Sequence, residues 1–301
     1  MTSDKECFFC GRPIDGKATR EHIFGDSFLK YLNLKKETLT SSLPNDTEYS
    51  RVKVPAHQRC NNEAGAWFEN YVLGILKSMD ANPNHLSRLH LHSDDPINLA
   101  LRQVLGQWLA KLYFGLLFWE RTRKHHPDPS YQRQLKNLLR DSAFTHLRRC
   151  FVNDIGFSVP SSLFYFRVPD PPEPGFRFDF GNGLPYGLFY LRFGNHLLII
   201  ALGDAYLVSE WLTSDIIASL QETIMEESAD DPVAYLIAVA HCWAVRENLP
   251  VEPRLEYSSN AIRDLSREGL NDRPSVDKVA VNARAAELFK KLARKWQKPA
   301  D

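Results

Sequence analysis

From Cys60 onward the apolar residues fall at helical spacing. Trp67, Phe68, Tyr71, Val72, Ile75, Leu76 and Met79 share one face, which predicts a helix that starts near Cys60 and stops before Asn82-Pro83. A second run, Ile97 to Trp119, is almost wholly apolar, and Gln103, Gln107 and Lys111 make one narrow stripe of polar side chains four residues apart. That pattern describes a helix buried on most sides better than a membrane span. Ahead of Cys60 the elements are shorter and more polar. Residues 5 to 60 read as a Cys-rich turn, a polar hairpin, a Thr/Ser/Asn/Asp loop from Thr38 to Thr47, and a strand-like alternation over Ser50 to Val54.

Further along, β-like runs occupy Leu163 to Val168, Phe176 to Phe180, Gly187 to Phe193 and Leu197 to Leu202, and Gly194-Asn195 between the last two reads as a tight hairpin turn. Pro169 to Gly175 is too rich in proline for an element interior and is a loop or linker. Helical stretches are expected at Ser214 to Glu227, Pro232 to Glu247 and Ser275 to Gln297. The fold expected from these elements is α+β. A small metal-stapled module fills residues 1–80, and residues 81–301 form a mainly helical region with a small, mostly antiparallel sheet.

Composition narrows the picture. Lys plus Arg equals Asp plus Glu at 37 each, so a polyanion partner needs local basic surface. The stretch Arg121 to Arg149 offers such a surface, with eight Lys/Arg against two Asp, whereas residues 202–260 hold eleven Asp/Glu against two Lys/Arg and would repel DNA. That acidic part suits solvent, a protein partner or regulator, or the basic regions of the same chain. Thr2 to Glu6 are polar or charged, which argues against a secretory signal and for a cytoplasmic setting. Five cysteines, three of them in the first 60 residues, point to metal binding in a reducing compartment before a disulfide framework.

The spacing of those cysteines is specific. Cys7-Phe8-Phe9-Cys10 presents two thiolates from one turn, and His57-Gln58-Arg59-Cys60 repeats the two-residue spacing at a helix start. Together they make a Cys3His set, the closed tetrahedral chemistry of structural zinc. Cys150 and Cys242 lack a partner at metal spacing and read as small buried hydrophobes. Trp108, Phe114 and Trp119 read as core and not as a base-stacking platform. His85, His90 and His92 form only a loose cluster, and His125-His126 reads as surface.

Between the two half-sites lies Arg20-Glu21-His22-Ile23, and Asn61 and Asn62 follow the last ligand directly. Hydrolysing a phosphodiester needs an activated water, neutralised phosphoryl oxygens and help for the leaving oxygen. An imidazole suits the first task, and a divalent ion with open positions suits the others. In a regular strand, however, Glu21 and His22 point to opposite faces. The order Cys-x-x-Cys, Glu-His-Ile, then Cys-Asn-Asn resembles the zinc-containing HNH, or ββα-metal, endonucleases over residues 5–75. The resemblance implies a bent hairpin that brings an acidic residue and a histidine to one site. It makes Glu21 a ligand of a catalytic Mg²⁺ or Mn²⁺, His22 the general base, and Asn61 the second metal ligand, with Asn62 the alternative. It also implies a DNA substrate and a setting in host defence or mobile-element processing.

This chain departs from the pattern at several positions. Glu21 stands where Asp is more usual, His57 where Cys is usual and Gly25 where a proline is often found. The middle asparagine has no clear match, Asn45 being the nearest. The competing expectation keeps the zinc module and discards the chemistry, leaving a nucleic-acid-binding or adaptor protein.

Overall fold

The computed structural model describes residues 6–41, 47–81, 96–122, 129–153, 155–159, 161–167, 178–183, 188–194, 196–202 and 257–258. The helices expected at 214–227, 232–247 and 275–297, the proline-rich stretch, most of the acidic stretch, Cys242 and the histidines at 85, 90, 92, 125 and 126 lie outside them.

The chain opens with a tight turn at Cys7 to Gly11. The Gly11 N–H donates to the Cys7 carbonyl at 2.9 Å, and Gly11 takes φ +72°, a left-handed conformation that glycine adopts without a Cβ clash. Strand β1 (Thr19–His22) pairs antiparallel with β4 (Lys53–Ala56), with Glu21 opposite Val54 and His22 opposite Lys53. The expected polar hairpin is thus closed over a long insertion. That insertion carries α1 (Asp26–Tyr31), β2 (Thr38–Ser41) and β3 (Thr47–Glu48), and a 3-10 turn at Tyr49–Arg51 leads into β4. β2 and β3 pair within a stretch read as loop, and β9 (Tyr257–Ser258) adds to the other edge of β2.

After β4 comes one turn of helix, α2 (Gln58–Cys60), then a π turn at Asn61–Gly65 and α3 (Ala66–Ala81). The helix expected from Cys60 is therefore present, widened in its first turns by the π segment, a distortion that recurs at functional sites in proteins. α4 (Pro96–Thr122) is the central helix, buried at every position from Leu105 to Glu120. It packs against α3, β4, α5 (Pro129–Leu138), α6 (Ser142–Asn153) and the strand at Leu188–Phe193. No helix among the described residues is long and apolar enough to cross a membrane.

The four-stranded sheet is wholly antiparallel, in the order β5 (Ser162–Arg167), β8 (His196–Ala201), β7 (Leu188–Phe193), β6 (Phe178–Gly183). The β7–β8 ladder closes at Phe193 opposite His196, with Gly194 at φ +53° in the expected hairpin turn. β8 is buried at all six positions, which explains the unbroken apolar run LLIIA that follows His196: both of its faces are covered.

The mixture of helices and small antiparallel sheets is α+β. The apolar core does not break at residue 80. Phe8 meets Phe118 at 5.7 Å and Phe144 at 5.6 Å between ring centroids, Phe28 meets Trp108 at 5.3 Å, and Phe24 meets Phe180 at 5.2 Å. One continuous cluster takes in Cys7, Ile23, Val54, Leu109, Cys150 and Leu198. Trp108, Phe114 and Trp119 are core residues, as their helical spacing predicts, and Cys150 is buried.

Candidate functional site

Cys7, Cys10, His57 and Cys60 come together, their ligand atoms all within 4.8 Å of one another. The turn at 7–11 supplies the first two, and the end of β4 with the helical turn at 58–60 supplies the others. The His57 Nε2–H donates to the Pro13 carbonyl at 3.0 Å, and a carbonyl can only accept. That bond leaves the lone pair on Nδ1, which lies 3.4 Å from the Cys10 sulfur and 3.9 Å from that of Cys60. An imidazole oriented through its far nitrogen is the usual outer-shell support of a metal ligand. The backbone N–H of His57 also points to the Cys7 sulfur at 3.4 Å.

The protonation chemistry asks for a cation. Burial and the neighbouring Cys7 and Cys10 sulfurs push the Cys60 thiol up to about 12, and burial raises Cys10 as well. Thiols raised in this way give up their protons readily only where a positive charge sits beside them. The donor set, three sulfurs and one imidazole nitrogen, therefore fits a bound metal ion.

Two basic residues of the stretch at 121–149 are turned toward this turn and not outward. Arg148 donates to the Phe8 carbonyl at 3.0 Å and the Cys7 carbonyl at 3.4 Å, and its guanidinium lies 2.7 Å from Glu6 and over the Phe144 ring. Arg121 reaches the other oxygen of Glu6 at 3.4 Å. Arg133, Lys136, Arg140 and Arg149 are exposed.

The residues of the Glu-His pair separate as strand geometry requires. β1 is regular, so Thr19 and Glu21 take one face of the β1–β4 ladder with Val54 and Ala56. Arg20 and His22 take the other, with Lys53 and Pro55. Burial follows the same division: Glu21, Val54 and Ala56 are buried, Arg20 is exposed, and His22, Lys53 and Pro55 are half-buried. The bend that would bring Glu21 and His22 into one site is absent.

On the inner face, Glu21 accepts a hydrogen bond from the Lys111 ammonium at 2.7 Å. The same ammonium pairs with Glu69 and donates to the His22 carbonyl at 3.3 Å. Its three protons thus meet three oxygens, from β1 twice and α3 once. Burial opposes the charge on Lys111, but Glu69 and Glu21 outweigh it and raise its pKa. Burial raises that of Glu69, against the pull of Lys111. Gly25 belongs to this arrangement, because a β-carbon built there would overlap the Glu69 carboxylate.

On the outer face, burial and the adjacent Lys53 lower the pKa of His22 and keep its imidazole neutral near pH 7. Asn61 opens the π turn, its N–H donating to the His57 carbonyl at 3.0 Å, and that turn packs beside β1. Asn61 is half-buried and Asn62 exposed.

The sequence reading missed Glu69 and did not single out Lys111 from its polar stripe. The available signal was a lysine within the most apolar run of the chain, a position that calls for a buried partner. Glu69, in an aromatic-rich helix, gave no signal of its own. Comparison with protein families, curated proteins and solved structures found no match.

Proposed function

We propose that this chain is an HNH-type endonuclease that hydrolyses phosphodiester bonds in nucleic acid, DNA by the resemblance, with its fold stapled by one zinc ion at Cys7, Cys10, His57 and Cys60. The observation that carries the reading is the outer face of the β1–β4 ladder. There a half-buried imidazole of lowered pKa, His22, lies across from Lys53, on the same face as Arg20 and beside the turn that begins at Asn61. A neutral imidazole can take the proton from an attacking water, and two flanking cations can offset charge on the phosphoryl oxygens as the bond to the leaving oxygen breaks. The layout of cysteine turn, two antiparallel strands and a helix carrying the last ligand supports the same reading. Zinc is the ion this closed Cys3His donor set suits, and its part is structural.

The resemblance also gives the reaction a Mg²⁺ or Mn²⁺ ion held by Glu21 and Asn61. Glu21 does not fit that role, since it is buried and neutralised by Lys111. The same observation favours a second reading, in which the module binds nucleic acid or a protein partner without cutting.

The test is incubation of the full-length, zinc-loaded protein with plasmid, linear DNA and RNA, with and without added Mg²⁺ or Mn²⁺. Cleavage is expected, and His22→Ala should lose roughly 10²–10⁴-fold in rate while keeping its zinc. A His22→Ala protein that cuts at the wild-type rate removes the mechanism. Binding of the same substrates with no cleavage under any condition leaves the second reading.

A further inference from the structure

Glu21, Glu69 and Lys111 come from three elements, β1, α3 and α4, and meet where little solvent reaches: the Lys111 side chain is 1% exposed, Glu21 8% and Glu69 16%. We infer that Lys111 is the resident cation of the Glu21 carboxylate, and that no divalent ion is held there in the folded chain. The ammonium already receives the three oxygens that its three protons can use, Glu21 Oε1, Glu69 Oε1 and the His22 carbonyl. A divalent ion placed on Glu21 would sit within a few ångströms of that ammonium, in a setting that screens like charges poorly. The surrounding chain is shaped for the carboxylate–ammonium contact, since Gly25 is the residue that lets Glu69 in. Asp26 is the further charged group that acts on the cluster, through Glu69, while the His22 ring lies on the outer face of the strand.

This inference deepens the proposed function by removing one of its inherited parts, the metal ligand at Glu21. It holds equally if the chain never cuts nucleic acid. What Lys111 does is join. It ties the strand that carries His22 to the central helix and to α3, so the position of that strand depends on residues from both sides of residue 80.

The experiment reads Mn²⁺ binding, not cleavage. Full-length, zinc-loaded wild type, Glu21→Gln and Lys111→Met are titrated with Mn²⁺ and followed by electron paramagnetic resonance of the free ion and by thermal unfolding. Wild type and Glu21→Gln should be indistinguishable in Mn²⁺ uptake, because Glu21 is not available to the ion. Glu21→Gln removes one of two buried negative charges and leaves Lys111 paired with Glu69, so it is the variant expected to fold. Lys111→Met leaves two carboxylates without their cation. Where it folds, it should take up Mn²⁺ more tightly than wild type, on the order of tenfold or more, from the lost cation–cation repulsion. Stoichiometric Mn²⁺ binding by the wild type that Glu21→Gln abolishes would overturn the inference. So would a folded Lys111→Met protein whose Mn²⁺ affinity equals that of wild type. Loss of cleavage in His22→Ala bears on the nuclease reading alone, so the two can fail separately.

Discussion

Gly25→Ala is the smallest change that tests whether the buried ion cluster is built as described. The backbone itself does not require glycine here: Gly25 sits at φ −56°, ψ 142°, a conformation that alanine adopts without strain. Any cost must therefore come from the new methyl group, which would occupy space now filled by the Glu69 carboxylate. Glu69 is the end of a flexible side chain and could swing away if nothing held it. It is held, because it pairs with Lys111. Overpacking of this kind costs about 1–3 kcal/mol, and breaking a buried ion pair about 3–5 kcal/mol. The second figure is an upper limit here, since Lys111 keeps Glu21 and Glu69 is partly exposed. A net loss of about 2–4 kcal/mol is expected, equivalent to a fall of roughly 3–6 °C in Tm at this chain length.

The assay is urea or thermal unfolding of wild type, Gly25→Ala, Glu69→Ala and the double variant. Once Glu69 is gone the methyl at position 25 has nothing to strike, so the double variant should be about as stable as Glu69→Ala alone. That outcome corresponds to a coupling equal to the whole Gly25→Ala loss, about 2–4 kcal/mol, at the upper end of what residues in contact show. A Gly25→Ala protein as stable as wild type would refute the reasoning, as would strictly additive losses.

Other outcomes follow from the same geometry. Protein purified without added metal should contain one equivalent of zinc, measured by elemental analysis, and Cys60→Ala should lose it. Zinc uptake by the metal-free chain at pH 7 should release about three protons, one for each of Cys7, Cys10 and Cys60, read with a pH indicator in weak buffer. Release of none would remove the thiolate site. A fragment of residues 1–95 keeps every zinc ligand, and its sequence alone leaves two outcomes, a module that still cuts or one half of an inseparable domain. The packing favours the second. The fragment strips the partners from Phe8, Phe24 and Phe28 and the cation from Glu21 and Glu69. Each bared aromatic gives up about 1.5–3 kcal/mol, a combined loss comparable to the whole stability of an ordinary domain, so aggregation on expression is expected. A monomeric, zinc-loaded fragment with cooperative unfolding would count against the continuous core.

What could be read in advance from the sequence was what is local. The helix over 96–122 follows from an apolar run too long for anything else, and β7 and β8 from two apolar stretches joined at Gly194. The metal cluster was legible because its two halves repeat one spacing, and that regularity survives a separation of about fifty residues. The rest required knowing partners. β1 pairs with β4 across the whole α1–β3 insertion, and β2 and β3 are strands only because they find each other within polar sequence that reads as loop. The 3-10 turn at Tyr49–Arg51 displaces the strand read at Ser50 to Val54 toward its C-terminal end. Lys111 and Glu21 lie ninety positions apart, and no periodicity links them.

Two residues break the local rules of their elements, and each accounts for the other. Glu21 occupies the buried face of a strand, across from Val54 and on the same side as Ala56, where a lone carboxylate would lose its hydration for nothing. Lys111 lies in the continuously buried part of the central helix, flanked by the fully buried Ala110 and Leu112, where a lone ammonium would fare no better. Placed 2.7 Å apart, each removes the main objection to the other, though such a pair adds little net stability over a well-packed apolar alternative. Its effect is on specificity. Turning α4 by a single residue would set Ala110 or Leu112 against Glu21 and carry the ammonium into apolar surroundings, so the pair fixes the rotation of α4 against β1. It also fixes which edge of β1 faces outward, because a strand side chain can reverse only if its neighbours reverse with it. Glu21 held inward by Lys111 is therefore what holds His22 outward, on the face of Arg20 and Lys53.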